Sequence, residues 1–308
     1  MATSEEYKKY IEAHRKNVIS LSQAQEKALA RLYIEAAADI KDRAKDIISN
    51  RTLTAAQAKI RIQSLLREAA KLTDNFKSLL DKSLIESANL GQEVNKIIMG
   101  KYQSSLAKEG IDLKLTRMLS KVSNDAVKTI YSRIYTDGLK LSDRIWLLDK
   151  RGKQEIERII MQHIISGGSA SDRVTISALE NLFNPEYTPA KLTSLHGKKV
   201  GYEASRLLRT SMMEALNEAD RMSSEKNPGS KGQRLLVAIG ACEQCEPLDG
   251  EPLEKTGIPP LHPNCRCTSI DVVEDITAFT DRYLQFMDNP NSQPDLAKWY
   301  KEIYKKAA

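Results

Sequence analysis

Between Leu29 and Leu79 apolar side chains recur every three or four residues, and only an α-helix places such residues on one side. The first stripe is Leu29, Tyr33, Ala36, Ile40, Ala44 and Ile47. The second is Ile62, Leu65, Ala69, Leu72, Phe76 and Leu79, whose strict alternation of three and four is a heptad seam. The stretch "SNRTLT" breaks the pattern between them. Ser22 with Gln25 and Thr54 with Gln57 have the spacing of capping boxes, predicting helix starts at both places. The second pattern persists to Lys108, where "KEG" supplies a terminating glycine. Unbroken, that element would be about 80 Å long at about 1.5 Å per residue. Gly91 and Gly100 are the points where it would bend or break. The two stripes are expected to pack as an antiparallel pair, the alternative being that one seam faces another molecule.

Further along, Ala126, Ile130 and Ile134 form a stripe ending at "TDG". The segment "LSDRIWLLDKRGKQEIERIIMQHIISGGSASD" reads as a short turn, a helix over 151–165 and a Gly-Gly stop. His163, near the end of that helix, is expected at the surface or against the helix dipole and is given no function. A helix follows in "KKVGYEASRLLRTSMMEALNEADRM", with Leu207, Leu208, Met212, Ala215, Leu216 and Ala219 as its buried face. "RLLVAIG" and "CTSIDVV" are strand candidates that would pair as a hairpin around the segment between them. The expected fold is mainly α: a long helical N-terminal part, then a small α+β C-terminal domain with a cysteine-rich hairpin loop. The boundaries drawn are 1–170, 171–274 and an aromatic-rich helical tail over 275–308.

The chain has 308 residues, 41% hydrophobic and 29% charged, a mixture that suits a helix-rich soluble protein. No run of about 18 apolar residues occurs, so no membrane span is expected. The charged start "MATSEEYKKYIEAHRK" lacks the apolar core of a secretory signal, so the chain is expected to work in a cytoplasm or to start its life there. Charge is uneven: residues 1–170 carry 30 Lys+Arg against 21 Asp+Glu, and residues 171–308 carry 17 against 20. The first part is therefore the candidate for contact with a polyanion such as nucleic acid. Locally, runs such as "EAAADIKDRAKD" interleave both signs, the pattern of a solvated helix face.

The tail holds six of the 17 aromatic residues: Phe279, Tyr283, Phe286, Trp299, Tyr300 and Tyr304. "QPDLAKWYKEIYKKAA" starts with a proline at a helix N-terminus and repeats apolar residues at helical spacing. Such a helix either docks on its own domain or offers Trp299, Tyr300 and Tyr304 as anchors to a partner, since Trp and Tyr dominate binding hot spots.

All four cysteines lie between Ala241 and Cys267. Cys242-x2-Cys245 is followed, after sixteen residues, by His262-x2-Cys265-x-Cys267. Two ligands separated by two residues reach one tetrahedral ion from a tight turn, and zinc takes four. Five candidates therefore leave one spare. An extended chain at Cys265–Cys267 would favour four cysteines with His262 outside the set. A bend after Cys265 would make three cysteines with His262 an equal alternative. Metal-free packing of the thiols is the next alternative, and disulfides run against the absence of an export signal. The zinc-deaminase pattern fails because no H-x-E lies upstream. A histidine–asparagine nuclease pattern built on His262 and Asn264 lacks a second histidine nearby, His196 being far upstream. "MGK" at 99–101 is no phosphate loop, because Asn95 stands where the first glycine belongs. A DNA-binding zinc module would need its basic charge beside the cysteines, where residues 171–308 are net acidic.

"PPLHPNCRC", preceded by "CEQCEPLDG", resembles the C-terminal signature of the phage Mu F-like minor head proteins. "RLLRTSMMEALNEA", with Arg209, Thr210 and Asn217, is similar to that family's helix, and the segment containing Trp146 to the stretch before it. The resemblance spans about residues 140–270, and Glu243-Gln244 departs from the usual residues between the first two cysteines. It implies a non-enzymatic head-morphogenesis protein that binds the portal protein in the procapsid and stays in the phage head. Capsid or scaffold protein and packaged double-stranded DNA are further expected partners, and host cytoplasm is the place of assembly. Zinc would be structural. The alternative reading is a metal-dependent nuclease or transferase acting on nucleic acid or protein.

Overall fold

The structure, a computed structural model, describes residues 5–50, 52–166, 172–184 and 200–307. The Gly167-Gly168 stop, the proline loop after Asn184 and His196 lie outside the described residues. The helices are α1 (Glu5–Ile48), α2 (Ala55–Gly91), α3 (Glu93–Lys108), α4 (Val122–Ser132), α5 (Leu141–Ile165), α6 (Asp172–Phe183) and α7 (Val200–Lys226). Strand β1 (Ser230–Leu236), the single turn α8 (Leu253–Thr256) and strand β2 (Thr268–Val273) follow. α9 (Ile276–Asp288) and α10 (Pro294–Trp299) come next, and a π-turn over Tyr300–Tyr304 leads into α11 (Lys305–Ala307). The mainly helical architecture with a small two-stranded sheet and a cysteine-bearing loop is the one the sequence predicts.

Two compact units form, each from separated stretches. One comprises Met1–Ser22, Ser83–Ile130 and Arg209–Ala308; the other comprises Gln23–Lys82 and Tyr131–Leu208. We call them the hairpin unit and the helical unit.

In the helical unit the two predicted stripes face each other. Tyr33 of α1 meets Phe76 of α2 edge-on at 6.4 Å, Arg43 pairs with Glu68 at 3.2 Å, and Arg61 donates to the Asp46 carbonyl at 3.3 Å. Numbers rise along α1 as they fall along α2, so the pair is antiparallel. Ile40, Ala44, Ile47, Ile62, Leu65 and Phe76 are all buried there. Each large apolar side chain so covered contributes about 1.5–3 kcal/mol. Phe183 adds a third ring 6.5 Å from Tyr33. The capping box at Thr54 and Gln57 forms in both directions, at 3.0 and 3.3 Å. The one at Ser22 does not: α1 runs through it without interruption, and Ser22 and Gln25 are buried. Helix α5 starts at Leu141, ten residues before the predicted position, because Asp143 caps the Lys140 backbone at 2.8 Å and Gly152 sits inside the helix. His163 is buried, not exposed; its ring bonds Thr175 Oγ1 at 2.9 Å and the Ile48 carbonyl at 3.3 Å.

In the hairpin unit α2 ends at Gly91, where a Cβ would lie 2.0 Å from the Leu216 carbonyl oxygen. Only glycine lets α2 and α7 approach so closely. Gly100 does not break α3, which ends at the predicted glycine: Gly110 is left-handed (φ 79), and Ile111 N–H reaches back to the Leu106 carbonyl at 3.0 Å. On α7 the predicted face is buried at Leu208, Met212, Ala215, Leu216 and Ala219, with Leu207 half-buried. Val18 of α1 packs on Met213 and Leu216. The strands pair antiparallel, Leu236 opposite Thr268 and Ser230 opposite Val273.

This unit also has a polar interior. Asp220 of α7 accepts from Asn95 (3.2 Å), Gln233 (2.6 Å) and Ser269 (2.6 Å). Asp271 of β2 accepts from Ser230 (2.5 Å) and Asn227 (3.2 Å), and Asn227 also donates to Asn95 (2.9 Å). The Tyr7 hydroxyl donates to the Asp271 carbonyl. Burial raises Asp220 to about 6 and Asp271 to about 7, the latter also through the charge of Asp220, while the hydroxyl and amide donors pull both down.

The tail docks on this same unit. Phe279 stacks on Tyr102 at 4.0 Å, and the buried Trp299 donates its indole N–H to the Lys226 carbonyl at 3.0 Å. Tyr300 and Tyr304 stack at 5.3 Å and are half-buried, and Tyr304 accepts from the Lys114 amide at 3.3 Å.

Candidate metal centre

The strands end where the cysteines begin. After β1 the chain folds back on that strand's outer edge: Leu235 N–H donates to the Glu251 carbonyl and Gly250 N–H to the Leu235 carbonyl, both at 2.8 Å. Asp249 accepts from Val237 N–H at 2.8 Å and from Arg15 of α1 at 3.2 Å. The return closes a small core of Leu235, Val237, Cys245, Cys265 and Cys267, with Leu248, Leu253 and Leu261 packed around it. Cys242 alone of the four cysteines is exposed, and all four are free thiols.

Cys242 and Cys245 are brought together by a turn in which Cys245 N–H and Glu246 N–H both donate to the Cys242 carbonyl, at 2.9 and 3.0 Å. His262 Nε2 lies 3.1 Å from Cys242 Sγ and 3.2 Å from Cys245 Sγ. Cys245 Sγ lies 3.9 Å from Cys265 Sγ. Two triads result, Cys242–Cys245–His262 and Cys245–Cys265–Cys267, each with its donor atoms within 4.8 Å of one another. Around a tetrahedral zinc ion the edges of the ligand polyhedron are about 3.6–3.8 Å, given bonds of about 2.0–2.3 Å. The Cys245–Cys265 spacing is close to that size and the two His262–thiol spacings are shorter, and Cys245 belongs to both triads.

The second half of the cluster depends on a turn at Asn264, whose φ of 66 is the left-handed conformation few side chains adopt. Cys265 N–H closes this turn on the His262 carbonyl at 3.1 Å. The bend thus comes before Cys265, turning the histidine and the following cysteines toward the same region. The three α7 residues of the sequence motif hold this strand of chain. Arg209 donates to Asn264 Oδ1 at 2.9 Å, and Asn264 N–H donates to Thr210 Oγ1 at 3.4 Å. Two turns on, Asn217 accepts from Ser269 N–H at 2.7 Å and donates to the Cys267 carbonyl at 3.4 Å.

His262 Nδ1–H donates to the Pro263 carbonyl at 3.0 Å, the first cause of its raised pKa. That bond leaves the Nε2 lone pair facing the sulfurs, the tautomer a metal needs. The thiols perturb one another. Backbone N–H of Cys245 lowers Cys242. The Cys267 thiol, donating to Cys265, lowers that group to about 5 and is itself held protonated. Burial and the Cys265 charge push Cys245 up to about 12. So many thiols cannot all ionise side by side without a cation to offset their charge, which is the chemistry of a metal-binding cluster.

The structure therefore brings the five sequence-predicted donors into one cluster of metal-binding size; nothing in it fixes which metal. Sequence reasoning missed Arg15 and Asp249, whose link joins residues 234 positions apart, and the positive φ of Asn264. "HPN" was the available signal for that turn, since asparagine tolerates the left-handed region. No family model, curated protein or solved structure matches the chain. Among the described residues no helix is long and apolar enough to cross a membrane.

Proposed function

We propose that the chain is a non-enzymatic minor head protein of a tailed phage, with zinc held by the cysteine cluster as a structural clamp. The observation that carries the reading is the convergence of both halves of the signature, C-x2-C and H-P-N-C-R-C, at the end of one hairpin. His262 is one ligand, because its ring is fixed with Nε2 toward Cys242 and Cys245. Three of the cysteines complete the set, Cys245 among them because it belongs to both triads. The clamp replaces the core that so small a hairpin cannot build for itself. In zinc-finger peptides such a site contributes an apparent 10–16 kcal/mol or so at neutral pH.

The portal protein is the proposed partner, with the half-buried Tyr300–Tyr304 pair as the contact the tail offers. Capsid or scaffold protein is a further partner during assembly in the host cytoplasm. Packaged double-stranded DNA is the proposed polyanion. Charge supports contact through the helical unit, which carries 24 Lys+Arg against 17 Asp+Glu, whereas the hairpin unit carries 23 against 24.

Elemental analysis of reduced protein tests the clamp: near one zinc per chain is expected, and no zinc with four titratable thiols overturns it. Co-sedimentation with the portal protein of the same phage tests the role, and absence of association in both free and procapsid portals overturns it. DNA binding should weaken steeply as salt rises.

A further inference from the structure

Arg209 of α7 reaches into the turn between His262 and Cys265, where it meets the side-chain oxygen of a residue in the left-handed backbone conformation. Left-handed backbone at a non-glycine residue persists only where its surroundings hold it. Asn264 is held at two points. Its Oδ1 accepts from the Arg209 guanidinium at 2.9 Å, and its N–H donates to Thr210 Oγ1 at 3.4 Å. Both anchors are neighbours on one helix, so the turn is fixed against a rigid element. Without that hold the turn could relax, and His262 and Cys265 would no longer face one point.

We propose that Arg209 and Asn264 are positioning residues for the metal centre: the bridge between them sets how tightly the cluster holds a zinc ion. The inference rests on the metal reading above. The bridge lies outside the ligand set and shapes the site before the ion arrives. Partners that orient metal ligands in this way typically contribute 10–100-fold in metal affinity.

The test uses the full chain, with zinc affinity measured by competition against a chromophoric chelator and with cobalt(II) as a spectroscopic probe. Arg209→Met and Asn264→Gly are the informative variants, and Arg206→Met, one exposed arginine earlier on the same helix, is the control. Glycine adopts a positive φ at no cost, so Asn264→Gly leaves the turn accessible while deleting the oxygen that Arg209 holds. Expected are a 10–100-fold loss of zinc affinity in both variants, a smaller loss in Arg209→Lys, and none in the control. The cobalt absorption should shift in band position while helicity stays at the wild-type level. Wild-type zinc affinity in Asn264→Gly would overturn the proposal by showing that only the backbone turn matters, and this holds even if Arg209→Met fails to fold. A wild-type chain that binds neither zinc nor cobalt would instead remove the metal reading, and the positioning role with it.

Discussion

The two units share helices yet are built on different physics. α1, α2, α4 and α7 each contribute to both, with Ser22–Gln23, Lys82–Ser83, Ile130–Tyr131 and Leu208–Arg209 as the dividing points. In the helical unit the apolar stripes are closed by the rings of Tyr33, Phe76 and Phe183, with Gln25, Ser205 and the bonded pair His163–Thr175 buried beside them. In the hairpin unit Asn95, Asn217, Asp220, Asn227 and Asp271 are buried as deeply as the leucines. Apolar packing is tolerant of direction, whereas a buried amide or carboxyl must meet its partner at hydrogen-bond distance or forfeit about 1–3 kcal/mol. The helical unit is therefore specified mostly by pattern, and the hairpin unit more by individual pairings.

The strongest way to break this contrast is Cys245→Ser, the cysteine common to both triads. Amide hydrogen exchange should show protection lost over 230–273 and kept over 29–47 and 62–80. Equal loss in both regions would mean that the two units do not differ in what sustains them. Next in size is Phe76→Ala, expected to destabilise the helical unit by about 3–5 kcal/mol on thermal or urea unfolding. Zinc per chain should remain at the wild-type value.

The close glycines sharpen the comparison. A Cβ at Gly91 would lie 2.0 Å from a backbone oxygen in the hairpin unit, and one at Gly201 would lie 2.3 Å from the Phe183 carbonyl in the helical unit. Gly91→Ala and Gly201→Ala should each cost about 1–3 kcal/mol through displaced backbone. The hairpin unit should answer with lost zinc affinity as well as lost stability, because Leu216 neighbours Asn217 on α7. Differential unfolding in the presence of excess zinc reads both.

A smaller effect lies in pH. Asp220 and Asp271 have folded pKa values raised above the unfolded value of 3.8, so they bind more protons folded than unfolded. Their contribution is full below that unfolded value and is lost as pH rises through about 6 and 7. His14, lowered to about 4 by burial, acts in the opposite sense, its contribution being lost as pH falls. The informative quantity is thus a difference: zinc-loaded Asp271→Asn should show a flatter stability profile than wild type between pH 5 and 8. Parallel profiles would show that Asp271 does not titrate in that window. The least effect is expected from Arg158→Ala, whose partner Glu155 is on the same exposed helix face, at about 0.3–0.5 kcal/mol.

Legibility in the sequence follows the same divide. The stripes at Leu29–Ile47 and Ile62–Leu79 could be read because one helix face repeats a single physical requirement. Thr54 with Gln57 formed its cap because "SNRTLT" had already ended the preceding helix. The same local signal at Ser22 lost to apolar positions that continue through it, Val18 before and Leu29 after. At α5, the residues before 151 read as a turn and are instead helix from Leu141, with Gly152 packed inside it against Val200, a contact that no local window contains. The cysteine cluster was legible because metal ligation leaves a spacing. Its supports were not, since Arg15–Asp249 and Arg209–Asn264 are single long-range bonds with no period. Asp220 did leave a trace, four residues after Leu216 on the apolar face of α7, where a solvated carboxylate does not belong.

The hydroxyl of Tyr7 bonds the carbonyl of Asp271, 264 positions later. A ribosome adding about 5–20 residues per second needs roughly 13–50 s to cover that distance. Tyr7 must therefore spend that interval without this partner, while both stretches of the helical unit are made before Asp271. Order of completion here departs from order of synthesis: of these two segments, the one made first waits for the one made later.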